Sequence, residues 1–211
     1  MKFFVISACV AALFVLTLFV GSVPIPARDV LHILSGGDGV ADAVRFIVLG
    51  SRLPLALTSL LAGAGLAVSG LMLQSAFRNP LAGPSILGIN SGASLGVAVV
   101  MLLLGGSVSA GAFSWGGYVA VMIGAFFGSL AIMGLLLLLS AWLKNDLMLL
   151  ITGIMIGYLA SSVIMLLNFA ATAEGVQGYV MWGMGNFNGV SMAQMPVFSF
   201  MTLAGIFMAI L

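Results

Sequence analysis

Apolar residues run along this chain in long stretches, interrupted by short clusters of Gly, Pro and charge. Six stretches are long enough to cross about 30 Å of hydrocarbon, which takes roughly 20 residues. They cover residues 3–21, 54–76, 86–104, 118–143, 147–169 and 193–211. In lipid every backbone group must be satisfied within its own segment, so these runs predict helices. The short alternating strands of a membrane barrel are absent from the pattern. The first run follows Lys2 and ends near Gly21-Ser22-Val23, in the manner of a cleavable leader. At about 18 apolar residues it is longer than a leader's core, and it is expected to be retained as a first span.

The interruptions carry their own pattern. Residues 22–53 hold Pro24, Pro26 and a short amphipathic stretch at 28–35, closed by Gly36-Gly37. Val30, Leu31 and Leu34 are expected to form the apolar face of a helix at the membrane interface, with His32 as one of its polar residues. The run Arg78-Asn79-Pro80-Leu81-Ala82-Gly83-Pro84 must stop a helix, because each proline removes a backbone donor. Residues 173–189 place Trp182 among glycines at 175, 178, 183, 185 and 189 and are expected to be irregular. Irregular backbone at membrane depth is tolerated only where it is buried or lines a water-filled cavity, so both segments are candidates for a gate or pathway. Small residues recur at helical spacing: Gly88, Gly92 and Gly96; Gly153, Gly157 and Ser161; Gly124 and Gly128; Gly63 and Ala67. Such spacing lets helices approach closely in lipid, as packing surfaces or as the lining of a pathway.

Composition narrows the function. Of 211 residues 63% are hydrophobic and 5% charged, with net charge +1. The mean hydropathy is +1.31. Too little polar surface remains to cover a soluble globule, so the chain is an all-α integral membrane protein. Scattered arginines make no basic stripe for nucleic acid. A single cysteine, Cys9, and a single histidine, His32, offer no disulfide and no metal cluster. No phosphate-binding Gly-x-x-x-x-Gly-Lys-Ser/Thr loop occurs, and the spans carry no central carboxylates for catalysis or ion coupling. No cofactor and no enzymatic activity are expected. Lys2, Arg78 and Lys144 fall on one side and Arg28, Arg45 and Arg52 on the other, so the charge rule does not orient the chain.

One set of motifs is far more specific. It comprises Ser51-Arg52-Leu53-Pro54, the run Leu61-Ala62-Gly63-Ala64-Gly65-Leu66-Ala67-Val68-Ser69-Gly70, Gln74, Phe77-Arg78-Asn79-Pro80-Leu81-Ala82 and Pro84. Leu87-Gly88-Ile89-Asn90-Ser91-Gly92-Ala93-Ser94-Leu95-Gly96 completes it. Together these closely resemble the FecCD family of ABC transporter permeases, which import iron–siderophore complexes, haem and vitamin B12. Leu149-Leu150-Ile151-Thr152-Gly153 and Trp182-Gly183-Met184-Gly185-Asn186-Phe187 extend the resemblance over nearly the whole chain.

The resemblance implies the N-terminal six spans of a ten-helix type II importer permease, a single transmembrane region over 1–211 in the bacterial inner membrane. It implies a cytoplasmic N-terminus. Its partners would be a second permease copy, cytoplasmic ATPase subunits and a two-lobed periplasmic binding protein. Asn79, Pro80 and Leu81, with Asp146 and Leu147, fall where the family narrows its pathway at the cytoplasmic end. Arg52 matches the first arginine of the family's Arg-Leu-Pro-Arg docking motif. Leu55 replaces the second, which leaves Arg45 as the available substitute. Family members continue beyond the sixth span into coupling helices and four more spans, so the 211 residues alone are expected not to couple ATP hydrolysis to import. A secondary transporter or channel subunit, or a membrane protein that does not transport, is the competing reading.

Overall fold

The computed structural model describes residues 2–103, 115–143 and 145–211, and the side chain of Asp146 lies outside the description. Leu104, the expected end of the third span, and Lys144 are not among the described residues. Every regular element among the described residues is helical. The chain divides into two compact units, Met1–Ala67 with Phe187–Leu211, and Val68–Asn186.

In the first unit, α1 (Lys2–Phe19) is exposed over most of its length, with Phe14, Thr17 and Phe19 partly buried and Leu18 buried. After Pro24 and Pro26 comes α2 (Ala27–Leu34), with Asp29 in the first turn, where a carboxylate suits the positive end of a helix. Its buried face is Val30 and Ile33, packed with Val48. Leu31 and Leu34, expected on that face, are exposed. Periodicity alone allowed several apolar faces on so short a helix, and the position of Val48 selects one.

The second span begins earlier than its apolar run suggested. Helix α3 (Asp42–Phe46) passes through a π-helical turn at Ile47–Arg52 into α4 (Leu53–Ala76), a continuous apolar helix Asp42–Ala76 of 35 residues. Pro54 explains the widened turn. It has no N–H for the carbonyl four residues back, and its ring crowds that carbonyl, so the ladder relaxes just before it. The last helix, here α9 (Met195–Ile210), carries Pro196 in its first turn, where a missing N–H costs nothing. Thr202 of α9 meets Gly65 of α4, its methyl 3.6 Å from where a Cβ would stand.

The second unit is built around α5 (Ile89–Ala98), which continues as a π turn at Val99–Leu103. Against it lie α6 (Trp115–Ser140) and α7 (Asp146–Ala170). A core of Leu87, Ile132 and Leu136 gathers Leu73, Phe77, Leu149 and Leu150 at one end. Residues 173–189, expected to be irregular, are helical in their first part: α8 (Ala173–Gly183) is capped by the Thr172 hydroxyl, which accepts from the Gly175 N–H at 3.2 Å. The N-cap signal outweighs the glycines because only one end of the helix needs a starting partner.

Among the described residues four helices are long and apolar enough to span a membrane: Lys2–Phe19, Asp42–Ala76, Trp115–Ser140 and Leu147–Ala170. The expected third and sixth spans are shorter apolar helices, Ile89–Leu103 and Met195–Ile210. The third starts late because residues 84–88 are spent in turns after Pro84. Leu138, Tyr158, Met165 and Phe169 lie exposed on these helices, the expected surface for contact with lipid. Several hydroxyls on the helices are satisfied within them, though the buried Thr58 hydroxyl of α4 has no partner among the described residues. Ser129, Ser140, Thr152 and Ser162 each donate to a carbonyl three or four residues back, which removes the cost of carrying them into hydrocarbon.

Candidate gate and docking segments

Helix α4 ends at Ala76, and Arg78 turns the chain away with φ +46°, a left-handed conformation rare outside glycine. Asn79 then closes a tight loop: its Oδ1 accepts from the Leu81 N–H at 2.9 Å. Pro80 sits inside that loop, where its fixed φ helps and no donor is needed. Leu81 is left 74% exposed.

The same device recurs at the start of α7. Asn145 is the N-cap, and its Oδ1 accepts from the Leu147 N–H at 2.9 Å, with Leu147 61% exposed. Asp146 opens this helix between them. Both turns thus read Asn-x-Leu, and both are tied to the same core. Phe77, two residues before Asn79, and Leu149, two residues after Leu147, pack against the Leu87–Ile132–Leu136 cluster. Asn79, Pro80 and Leu81 thus closely follow, and Asp146 and Leu147 closely precede, residues packed on one cluster. Asn145 was missed in the sequence. Its signal was present as a capping residue directly before an apolar helical run.

The glycines hold α5 against its neighbours. A Cβ on Gly96 would overlap the Gly124 carbonyl oxygen, and one on Gly92 would stand 2.6 Å from the Gly128 carbonyl oxygen. On the other side, Gly88, at φ +74°, lies against Gly153 and Gly157 of α7. Each pair lets backbone meet backbone, a contact open only to residues without a side chain. Ser161 is exposed, and its hydroxyl donates to the Gly157 carbonyl at 2.9 Å.

The two arginines stand in different surroundings. Arg45 is partly exposed and paired with Asp38 at 3.1 Å. Arg52 is 6% exposed. Its Nη1 donates to the carbonyls of Leu18 (3.0 Å) and Phe19 (2.9 Å), and its Nη2 donates to the carbonyl of Val23. Within this chain its guanidinium is thus engaged by three backbone carbonyls. Among the described residues no group of three His, Cys, Asp or Glu could hold a metal ion.

This is a helical membrane scaffold whose distinctive features are close glycine packing, capped breaks and one buried arginine. Residues 9–211 match the model of the FecCD transport family, and the chain belongs to that family. Several of its helices are long and apolar enough to cross a membrane, as a transport-family member requires. It is 38% identical over 149 residues to the hemin transport system permease protein HmuU of Yersinia pestis, covering 69% of this chain and 42% of that protein. It is 43% identical over 118 residues to the ferric enterobactin transport system permease protein FepD of Escherichia coli K12, covering 54% and 34%. To the vitamin B12 import system permease protein BtuC of Klebsiella pneumoniae it is 36% identical over 159 residues, covering 75% and 46%. The chain thus spans less than half the length of these relatives. Among solved structures it is similar to a metal-chelate type ABC transporter in an inward-facing conformation. The TM-score is 0.72 at 26% identity, over 95% of this chain and 58% of that one.

Proposed function

We propose that the chain is part of the translocation pathway of an ABC importer that carries a metal chelate of the ferric siderophore, haem or cobalamin kind. The observation that carries this reading is the likeness of 95% of the chain to a metal-chelate type ABC transporter, joined to its membership of a transport family. ATPase subunits, a periplasmic binding protein and a second permease copy are the partners this reading requires. Cells lacking the chain should lose uptake of one of radiolabelled ferric siderophore, haemin or cobalamin, and a plasmid copy should restore it. Uptake should also be blocked by orthovanadate, which arrests ABC ATPases. Uptake of all three unchanged by the deletion would overturn the reading, and vanadate-insensitive uptake would point instead to a secondary transporter.

Within that assembly the paired Asn-x-Leu turns are the proposed cytoplasmic gate. Each asparagine fixes a loop that holds an apolar side chain outward, so two copies could close a hydrophobic constriction and open it by small rotations. Cysteines placed at positions 81 and 147 should crosslink between copies in the closed state. Labelling by lipid-soluble probes with no crosslink between copies would remove the gate assignment. Of the two arginines expected to dock a binding protein, Arg45 is the one with exposed surface. Its pair with Asp38 is open to water and exchangeable, and such a rim charge acts mainly on association rate and salt dependence.

A further inference from the structure

We propose that Arg52 is a cap supplied from a distance for the end of the first span, so that it positions α1 and the segment after it. The last carbonyls of a helix have no partner inside it. At the end of α1 two of them, on Leu18 and Phe19, are taken by Nη1 of a residue 34 positions away. Nη2 of the same guanidinium holds the Val23 carbonyl in the following segment, so one planar group ties the helix end to the chain that leaves it.

Three further observations agree. Arg52 is the one charged side chain buried among the described residues, and no ion pair involving it is found among them. Its charge faces the negative end of a helix dipole, where a cation is favoured. Gly21 lies under the guanidinium, and a Cβ there would stand 3.0 Å from Nε and Nη2. Finally, α1 is exposed nearly everywhere else, so the attachment at its end matters more than its flank. The π turn that ends at Arg52 also holds Val48, which packs on Val30 and Ile33 of α2. The same short stretch therefore seats both α1 and α2.

The test uses the full chain in nanodiscs, without any partner, in a Cys9→Ser background. Leu18→Cys reports on the helix end, because Leu18 is buried at 6%. Ala160→Cys, at a site 4% exposed in the other unit, reports on general unfolding. Arg52→Met should raise the rate of maleimide labelling at position 18 at least fivefold and leave position 160 protected. Arg52→Lys should lie between, since an ammonium keeps the charge but not the planar fork. Gly21→Ala should raise labelling at position 18 in the same direction by displacing the guanidinium. Because the acceptors are neutral carbonyls, the wild-type rate should not change between 0.05 and 0.5 M salt, on the order of several-fold less ionic screening length. A position-18 rate within twofold of wild type in Arg52→Met would overturn the proposal. So would a parallel rise at positions 18 and 160, since that would make Arg52 a general support of the fold. If Arg52→Met does not fold, the Arg52→Lys and Gly21→Ala rates decide by the same criteria.

Discussion

Gly96→Ala is expected to destabilise the second unit by about 3 kcal/mol or more, at the upper end of what overpacking a core costs. The reason is geometric. The new Cβ would overlap the carbonyl oxygen of Gly124, which belongs to the backbone of α6 and cannot turn aside as a side chain would. The helices must separate, and separation breaks the neighbouring contact as well: a Cβ on Gly92 already meets the Gly128 carbonyl oxygen at 2.6 Å, and Gly128 lies against Gly92 and Gly96 in return. In lipid no hydrophobic force repairs such a gap, because acyl chains fill it as readily as another helix. Gly134→Ala, on the same α6 but with nothing within 4 Å, is the control and should change stability by about 0.5 kcal/mol or less. Unfolding of both variants in mixed detergent, followed by helix content and by labelling of a cysteine introduced at the buried position 160 in a Cys9→Ser background, checks the difference. Equal midpoints for Gly96→Ala and Gly134→Ala would show that α5 and α6 are not in backbone contact.

Gly88→Ala should cost about as much for two separate reasons. Its φ of +74° is left-handed, which charges an L-residue roughly 1–2 kcal/mol. Its Cβ would also stand 2.6 Å from the Gly153 carbonyl oxygen and 3.2 Å from the Gly157 nitrogen. The opposing positions carry only the second fault. Gly153→Ala would bring a Cβ to 3.0 Å from Leu87 Cα, and Gly157→Ala to 3.2 Å from the Ser91 hydroxyl, a side chain that can move. The expected order of damage is therefore Gly88, then Gly153, then Gly157. The same unfolding series measures it, and a Gly157→Ala more damaging than Gly88→Ala would contradict this arrangement of α5 and α7.

Gly88 also connects packing to the proposed gate. It is the N-cap of α5, and Leu87 beside it is buried in the core that anchors both Asn-x-Leu turns. A shift of α5 against α7 would therefore reach Leu81 and Leu147 through Phe77 and Leu149. Substitutions at Gly88 are expected to alter crosslinking at positions 81 and 147 as well as stability.

Some of this was legible in the chain itself. Long apolar runs with few charges fix a helical membrane protein, because lipid leaves the backbone no other way to satisfy itself. The breaks at Pro80 and Pro84 follow from missing donors, and the four-residue spacing of Gly88, Gly92 and Gly96 announces a close helix contact. The motifs from Arg52 to Gly96 were enough to indicate the family. Other features depended on what lies across the fold. Which face of α2 is buried was set by Val48, eighteen residues from Val30 in the sequence. The helical start of residues 173–189 came from one hydroxyl cap, against a local composition that argues for loop. The widened turn before Pro54 let the second span begin at Asp42. Arg52 shows the difference most clearly. Its sequence position says that a guanidinium stands near the membrane boundary, and the motif suggests that it faces outward. Only the tertiary structure places three carbonyls from residues 18–23 around it. A hydrogen-bonding group takes whichever partners the fold brings within reach. Local sequence sets the donors, and long-range packing decides the acceptors.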